Sequence, residues 1–310
     1  MPATPQEFRL PSPVTELHSD LLERKGLRLS VKRDDLIHPV IQGNKWRKLK
    51  HNLEAARQLQ YDTLLTFGGP WSNHIHATAA AAQLFGFQSV GIIRGLSNHS
   101  TPTLDDAQQW GMKIQRVSRA EYDQRLSESM IHEYQQTYQA CYLIPEGGRN
   151  PEGARGCAEL IDELDDMPDV ICIDVGTGTT LAGVASCAPE QTQVIGFNAL
   201  KNAISLETEI IQTMEWLGAS NKNNWLLNHE YHFGGFADTT DELNRFIVNF
   251  RQEHGILLEP VYSGKMFYGI FDLIERDYFA PGTHILAVHG GGLQGLRGFP
   301  ELEKMLETTN

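Results

Sequence analysis

The chain has 310 residues, enough to bury a large core and to form two domains. Its 41% hydrophobic and 21% charged residues are ordinary for a globular protein. Its net charge of −13 argues against nucleic acid or an anionic membrane as partner, because both require a basic face. No stretch reaches the length of a membrane span.

Met1 to Glu7 is polar and lacks the apolar core of a signal peptide. The cysteines, Cys141, Cys157, Cys172 and Cys187, form no C-x-x-C and have no histidine pair at zinc spacing, so no metal is expected. Cys172 falls in an apolar strand and Cys187 in an apolar helix, which predicts buried free thiols. A reducing compartment, the cytoplasm, is the expected location.

The first helix is expected to open in Gln42-Gly43-Asn44-Lys45-Trp46-Arg47-Lys48-Leu49. Asn44 can cap it, and Leu49, Leu53 and Leu59 carry the apolar stripe onward. Lys45 then stands in the first turn, where the helix dipole disfavours a cation, with Lys48 one turn on. Two ammonium groups there lower each other's pKa, and a partly neutral lysine can form a Schiff base. The competing reading is a surface helix with scattered basic residues.

Strand-like runs follow at Thr63–Phe67, Ser89–Ile93, Lys113–Val117, Cys141–Ile144, Val170–Val175, Gln193–Phe197 and His284–Val288. Helical patterns fall between them at Asn73–Phe85, Thr103–Trp110, Arg119–Gln139, Pro151–Leu164, Thr180–Ala188 and Ala203–Leu217, with another at Met266–Arg276. This alternation predicts an α/β fold with mostly parallel sheets, and strand groups before and after residue 150 suggest two of them. Glu146–Gly153, rich in Gly, Pro and Asn, marks a domain junction or a functional loop.

Ligands of open α/β sheets sit beyond the carboxyl ends of strands, and three loops are suited to that. Gly68-Gly69-Pro70-Trp71-Ser72-Asn73-His74 brings a hydroxyl and an amide to a helix start; capping alone accounts for Ser72 better than for Asn73. Gly176-Thr177-Gly178-Thr179-Thr180 combines hydroxyls with a helix N-terminus, which suits a single phosphate; a tight turn is the alternative. Leu181 replaces the third glycine of the dinucleotide fingerprint, and no Gly-Lys-Ser/Thr follows. His289-Gly290-Gly291-Gly292 can lie against something flat or form a flexible turn, and Tyr262 and Ser263 begin another helix. An amine for an aldehyde, an anion site and room for a planar ring are the needs of pyridoxal 5'-phosphate.

The ordered motifs Val31-Lys32-Arg33-Asp34-Asp35-Leu36, Gly43-Asn44-Lys45-x-Arg47-Lys48-Leu49, Ser72-Asn73, Ile144-Pro145-x-Gly147-Gly148, Thr179-Thr180-x-Ala182-Gly183 and Pro260-Val261-Tyr262-x-Gly264-Lys265 span nearly the whole chain. They resemble the 1-aminocyclopropane-1-carboxylate (ACC) deaminase and D-cysteine desulfhydrase family. The resemblance implies a two-domain, tryptophan synthase β-like fold (fold type II), with residues 1–49 and 151–310 as the larger cofactor domain and 50–150 as a smaller inserted one. It also implies a homodimer and a small amino-acid substrate. By resemblance Lys45 bonds the cofactor, Lys48 and Gly176–Thr180 hold its phosphate, and Asn73 bonds its ring oxygen. Ser72, with Asn73, His74 and Tyr262, meets the substrate.

Three positions depart from the deaminase pattern. His74 stands for glutamine, Gly290 for leucine, and Ser263 for the glutamate that faces the pyridine nitrogen. A hydroxyl there makes a weaker electron sink than a carboxylate, which favours β-elimination over cyclopropane opening. Desulfhydrases carry a small hydroxyl residue at 263 but threonine at 290. The expected activity is thus D-cysteine desulfhydration, then ACC deamination, with an amino-acid racemase or a non-enzymatic cofactor-binding protein as rivals.

Overall fold

The structure, a computed structural model, describes residues 8–138, 140–219 and 222–308. Met1 to Glu7, read above as lacking a signal, lies outside the described residues. Among the described residues, ten strands form two sheets. The larger contains β1 (Val14–Leu17), β2 (Arg28–Lys32), β7 (Val170–Val175), β8 (Gln193–Asn198), β9 (Trp225–Asn228) and β10 (His284–Val288), in the order β1-β2-β10-β7-β8-β9. The smaller contains β3 (Thr63–Gly68), β4 (Gln88–Arg94), β5 (Met112–Val117) and β6 (Cys141–Ile144), in the order β5-β4-β3-β6. Among the described residues, β1 and β2 are the one antiparallel pair, and all other neighbours run parallel.

The central strands of the large sheet are apolar at nearly every position because both faces are covered. Along β7, Val170 and Cys172 join one core with Met266, Phe267 and Ile270 of the helix Ser263–Glu275. Ile171, Ile173 and Val175 join the opposite core with Leu181 and Val184 of the helix Thr179–Cys187. Parallel strands with crossover helices bring the loops after β3, β6, β7 and β10 to the strands' carboxyl ends.

Several expected elements are corrected. The segment 119–139 is two helices, Arg119–Asp123 and Glu128–Thr137, because Ser127 caps a new start by accepting from the Met130 N–H; Gln139 lies outside the described residues. The expected helix over 151–164 ends at Ala158, followed by a 3₁₀ turn at Ile161–Glu163, and the one over 203–217 shortens to Leu206–Glu215. Cys187 is exposed, being the last residue of its helix, while the other three cysteines are buried and free. No helix among the described residues is long and apolar enough to cross a membrane.

Candidate active site

The lysine helix spans Gly43–Gln58, continuing past the expected boundary at 49/50, and begins before Asn44 rather than at it. Gly43 adopts φ +54°, a left-handed conformation that glycine tolerates, and a Cβ there would stand 1.9 Å from the Gly290 carbonyl oxygen. The Asn44 N–H donates to that carbonyl at 3.3 Å. The Asn44 side chain is therefore not the cap; its Oδ1 accepts from Lys45 Nζ at 2.6 Å.

Burial and then the Lys48 ammonium push the half-buried Lys45 amine down to about 7. Burial lowers Lys48 as well. The acids Asp174 and Glu259 work in the opposite direction on Lys45. Beneath the helix, Arg47 holds Asp34 at 2.6 and 2.7 Å and Glu163 at 2.8 and 3.0 Å. Lys32 Nζ reaches Glu163 at 2.7 Å. These motif residues anchor the helix to β2 and to the turn after Ala158.

Ser72 caps the helix Asn73–Phe85, its Oγ accepting from the N–H groups of His74 (3.2 Å) and Ile75 (3.3 Å). Both acceptor positions are then used, and its single proton remains to donate elsewhere. Asn73 Oδ1 accepts from Gln294 Nε2, which leaves the Asn73 amide hydrogens to donate. His74 is buried. The Thr66 hydroxyl donates to the Ile144 carbonyl at 2.8 Å, so it accepts from His74 Nε2 at 2.8 Å, and His74 Nδ1 is left as a lone pair with no partner among the described residues. Burial, with the Lys45 and Lys48 charges, holds His74 well below its ordinary pKa, in the neutral form.

The helix Thr179–Cys187 starts at Gly178, and no side chain caps it. Its first N–H groups face outward beside the Thr177 and Thr179 hydroxyls, which are 3.1 Å apart. Gly176 backs onto Tyr262, whose Cε1 would lie 3.1 Å from a Cβ built at 176. Burial and the charges of Glu259 and Asp174 raise the Tyr262 phenol, so it stays protonated. Ser263 is buried, but its hydroxyl is engaged: Oγ accepts from the Glu259 N–H at 3.0 Å and lies 3.3 Å from Glu259 Oε1.

These contacts bring the expected residues into one region at the strand ends. Sequence reasoning missed Asp174, Glu259, Thr66 and Gln294. An acid inside the apolar run Val170–Val175 was a readable signal for the first. A nucleophilic amine, an uncapped helix start flanked by hydroxyls, and an orphaned buried imidazole nitrogen fit pyridoxal phosphate.

Comparison with known proteins agrees. The family model described as pyridoxal-phosphate dependent enzyme matches residues 7–291. The chain is 32% identical to a putative 1-aminocyclopropane-1-carboxylate deaminase of Pyrococcus abyssi over 297 residues, covering 91% of this chain and 89% of that protein. It is 29% identical to the mitochondrial bifunctional D-cysteine desulfhydrase/1-aminocyclopropane-1-carboxylate deaminase of Arabidopsis thaliana, covering 93% and 77%. A crystal structure of an ACC deaminase homologue superposes with a TM-score of 0.85 at 27% identity, covering 97% of this chain and 95% of that one. The chain belongs to the pyridoxal-phosphate dependent enzymes, in the group that contains the ACC deaminases and D-cysteine desulfhydrases.

Proposed function

We propose that the chain is a lyase that removes the β-substituent of a small amino acid, D-cysteine first, yielding pyruvate, ammonia and sulfide. The observation that carries this reading is Lys45, a half-buried amine at the helix start that burial and the neighbouring Lys48 charge hold down to about 7. When bound, pyridoxal phosphate supplies an aldehyde for the substrate amine and a ring that draws electrons from Cα. Lys45 removes the Cα proton, for which a pKa near the working pH is suited. Lys48 and the Gly176–Thr180 helix start hold the phosphate, and the Asn73 amide donates to the ring oxygen. Ser72 donates its free proton to the substrate carboxylate, while neutral His74 and protonated Tyr262 line the substrate pocket.

A smaller domain at residues 50–150 is supported by the four-stranded sheet, whose strands all lie between 63 and 144. Cytoplasmic residence is supported by the four free cysteines, and a homodimer by the family resemblance.

A second reading, conversion of ACC to 2-oxobutyrate and ammonia, is favoured by the buried carboxylate of Asp174 in the same site. Incubating the holoenzyme with D- and L-amino acids and with ACC, then identifying the keto acid, separates them. Pyruvate and sulfide from D-cysteine are expected. 2-Oxobutyrate alone would replace the first reading by the second, and inversion of configuration without ammonia would mark a racemase.

Cofactor loading carries a pH signature. Only the neutral Lys45 amine attacks the aldehyde, and it is lost as pH falls through about 7. The loading rate of cofactor-free protein is expected to drop about fivefold from pH 7 to 6 and to rise less than about twofold from pH 7 to 8. Stopped-flow absorbance checks this, and a rate still climbing tenfold per unit above pH 8 would mean an unshifted lysine.

A further inference from the structure

Asp174 is the only acid in a strand otherwise made of Val170, Ile171, Cys172, Ile173 and Val175. Side chains alternate along a strand. Val170 and Cys172 point to the face covered by the helix Ser263–Glu275, so Asp174 continues their row at the carboxyl end. Its charge is felt there by Glu259 and Tyr262, at the start of that helix. The residue is 8% exposed, and among the described residues no side chain donates a hydrogen bond to its carboxylate.

The carboxylate rests on the backbone of Gly290. A Cβ built at 290 would stand 2.9 Å from one Asp174 oxygen and 3.1 Å from the Asn44 amide nitrogen. The threonine or leucine of the family pattern therefore cannot share this space with Asp174. The glycine at 290 has a geometric reason: the neighbouring strand's carboxylate occupies the room of its side chain.

The other buried acid of the site is committed. Glu259 accepts from the N–H groups of Val261 (2.7 Å), Tyr262 (2.8 Å) and Ser263 (2.7 Å), capping the helix. The Ser263 hydroxyl is bonded to Glu259 in turn. A buried carboxylate without a partner is costly, and burial raises the Asp174 carboxyl, so it stays ionised only opposite a cation. Lys45, His289 and Lys48 are within its electrostatic reach, but His289 uses both ring nitrogens elsewhere, Nε2 donating to the Leu257 carbonyl at 2.7 Å and Nδ1 accepting from the Gly291 N–H at 3.2 Å. With Lys45 committed to the cofactor's aldehyde and Lys48 to its phosphate, the remaining basic group is the cofactor's ring nitrogen.

We propose that Asp174 is the acidic partner of the pyridine nitrogen, keeping it protonated in place of the residue-263 carboxylate of the deaminases. The inference rests on the cofactor orientation proposed above and deepens it. The electron sink is then a strong one despite Ser263, and ring opening of ACC becomes accessible alongside β-elimination.

The test uses holoenzyme reconstituted with pyridoxal phosphate carrying ¹⁵N in the ring. The native enzyme is expected to show the ¹⁵N resonance of a protonated ring at neutral pH, and Ser263→Ala is expected to retain it. Asp174→Asn is expected to move it to the neutral-pyridine position and to raise the cofactor dissociation constant at least about tenfold, the worth of one charge-assisted hydrogen bond. A double variant, Asp174→Ser with Gly290→Thr, refills the space with a hydroxyl and is expected to behave likewise while remaining folded. A neutral ring in the native enzyme, or a protonated one in both Asp174 variants, overturns the inference. A protonated, Asp174-dependent ring in an enzyme that makes no keto acid overturns the proposed reaction instead.

Discussion

Lys45→Ala is expected to remove the absorbance of lysine-bound cofactor and to lower turnover by about 10³-fold or more. Losing a positioned general base costs roughly 10²–10⁴-fold, and here the covalent attachment is lost with it. The fold is expected to survive, because among the described residues the one side-chain bond that Lys45 Nζ makes is to Asn44 Oδ1, its chain neighbour. Absorbance spectra and steady-state rates of the purified variant, beside its circular dichroism, check this. A variant that keeps both band and turnover would return Lys45 to an ordinary basic residue at a helix start. Lys48→Ala is the informative control, since it should weaken cofactor binding without erasing the band.

The second large effect is on stability. Arg47 is fully buried and joins Asp34 and Glu163, and Ser12 Oγ adds a hydrogen bond to Asp34 at 2.6 Å. Arg47→Ala leaves these carboxylates facing each other without their main counter-ion and opens a cavity. It is expected to cost about 3–5 kcal/mol, the range for breaking a buried ion pair from one side. Denaturant unfolding at pH 7 measures it; a loss under about 1 kcal/mol would mean that water takes over the role of the guanidinium.

The pH dependence has a definite sign. Burial works to raise Glu163, but the hydrogen bonds and charges of Arg47 and Lys32 hold it down to about 2. A depressed carboxyl stabilises the fold fully above its unfolded pKa, near 4.3, and loses that contribution as pH falls toward 2. The acid-induced loss of stability between those values should accordingly be shallower in Arg47→Ala.

Much of the architecture was legible because its signals are local. The strands Val170–Val175 and His284–Val288, interior to the larger sheet, have the bounds their apolar runs suggest, since strands buried on both faces leave no polar alternation to blur their ends; Cys141–Ile144 keeps its expected bounds too, although it is an edge strand. The short strands Val14–Leu17, Arg28–Lys32 and Trp225–Asn228 went unread; the first and last are sheet edges, where exposed positions break the pattern. The helix over 119–139 was read as one because its periodicity runs on past Ser127, while the cap that restarts it depends on a single hydroxyl.

The sequence by itself determined the class of chemistry: a lysine at a helix start, a glycine- and threonine-rich phosphate turn and a resemblance covering nearly the whole chain. All of these lie in contiguous residues, so pattern alone carries them. Only the tertiary structure decided how the acids are shared. Asp174 and Gly290 are far apart in sequence and meet because β7 and β10 are neighbours in the sheet. Ser263 looked like the group for the ring nitrogen until its hydroxyl was found on Glu259. Which carboxylate stays uncommitted depends on through-space hydrogen bonds and on the volume beside a glycine, and neither is written in the order of residues along the chain.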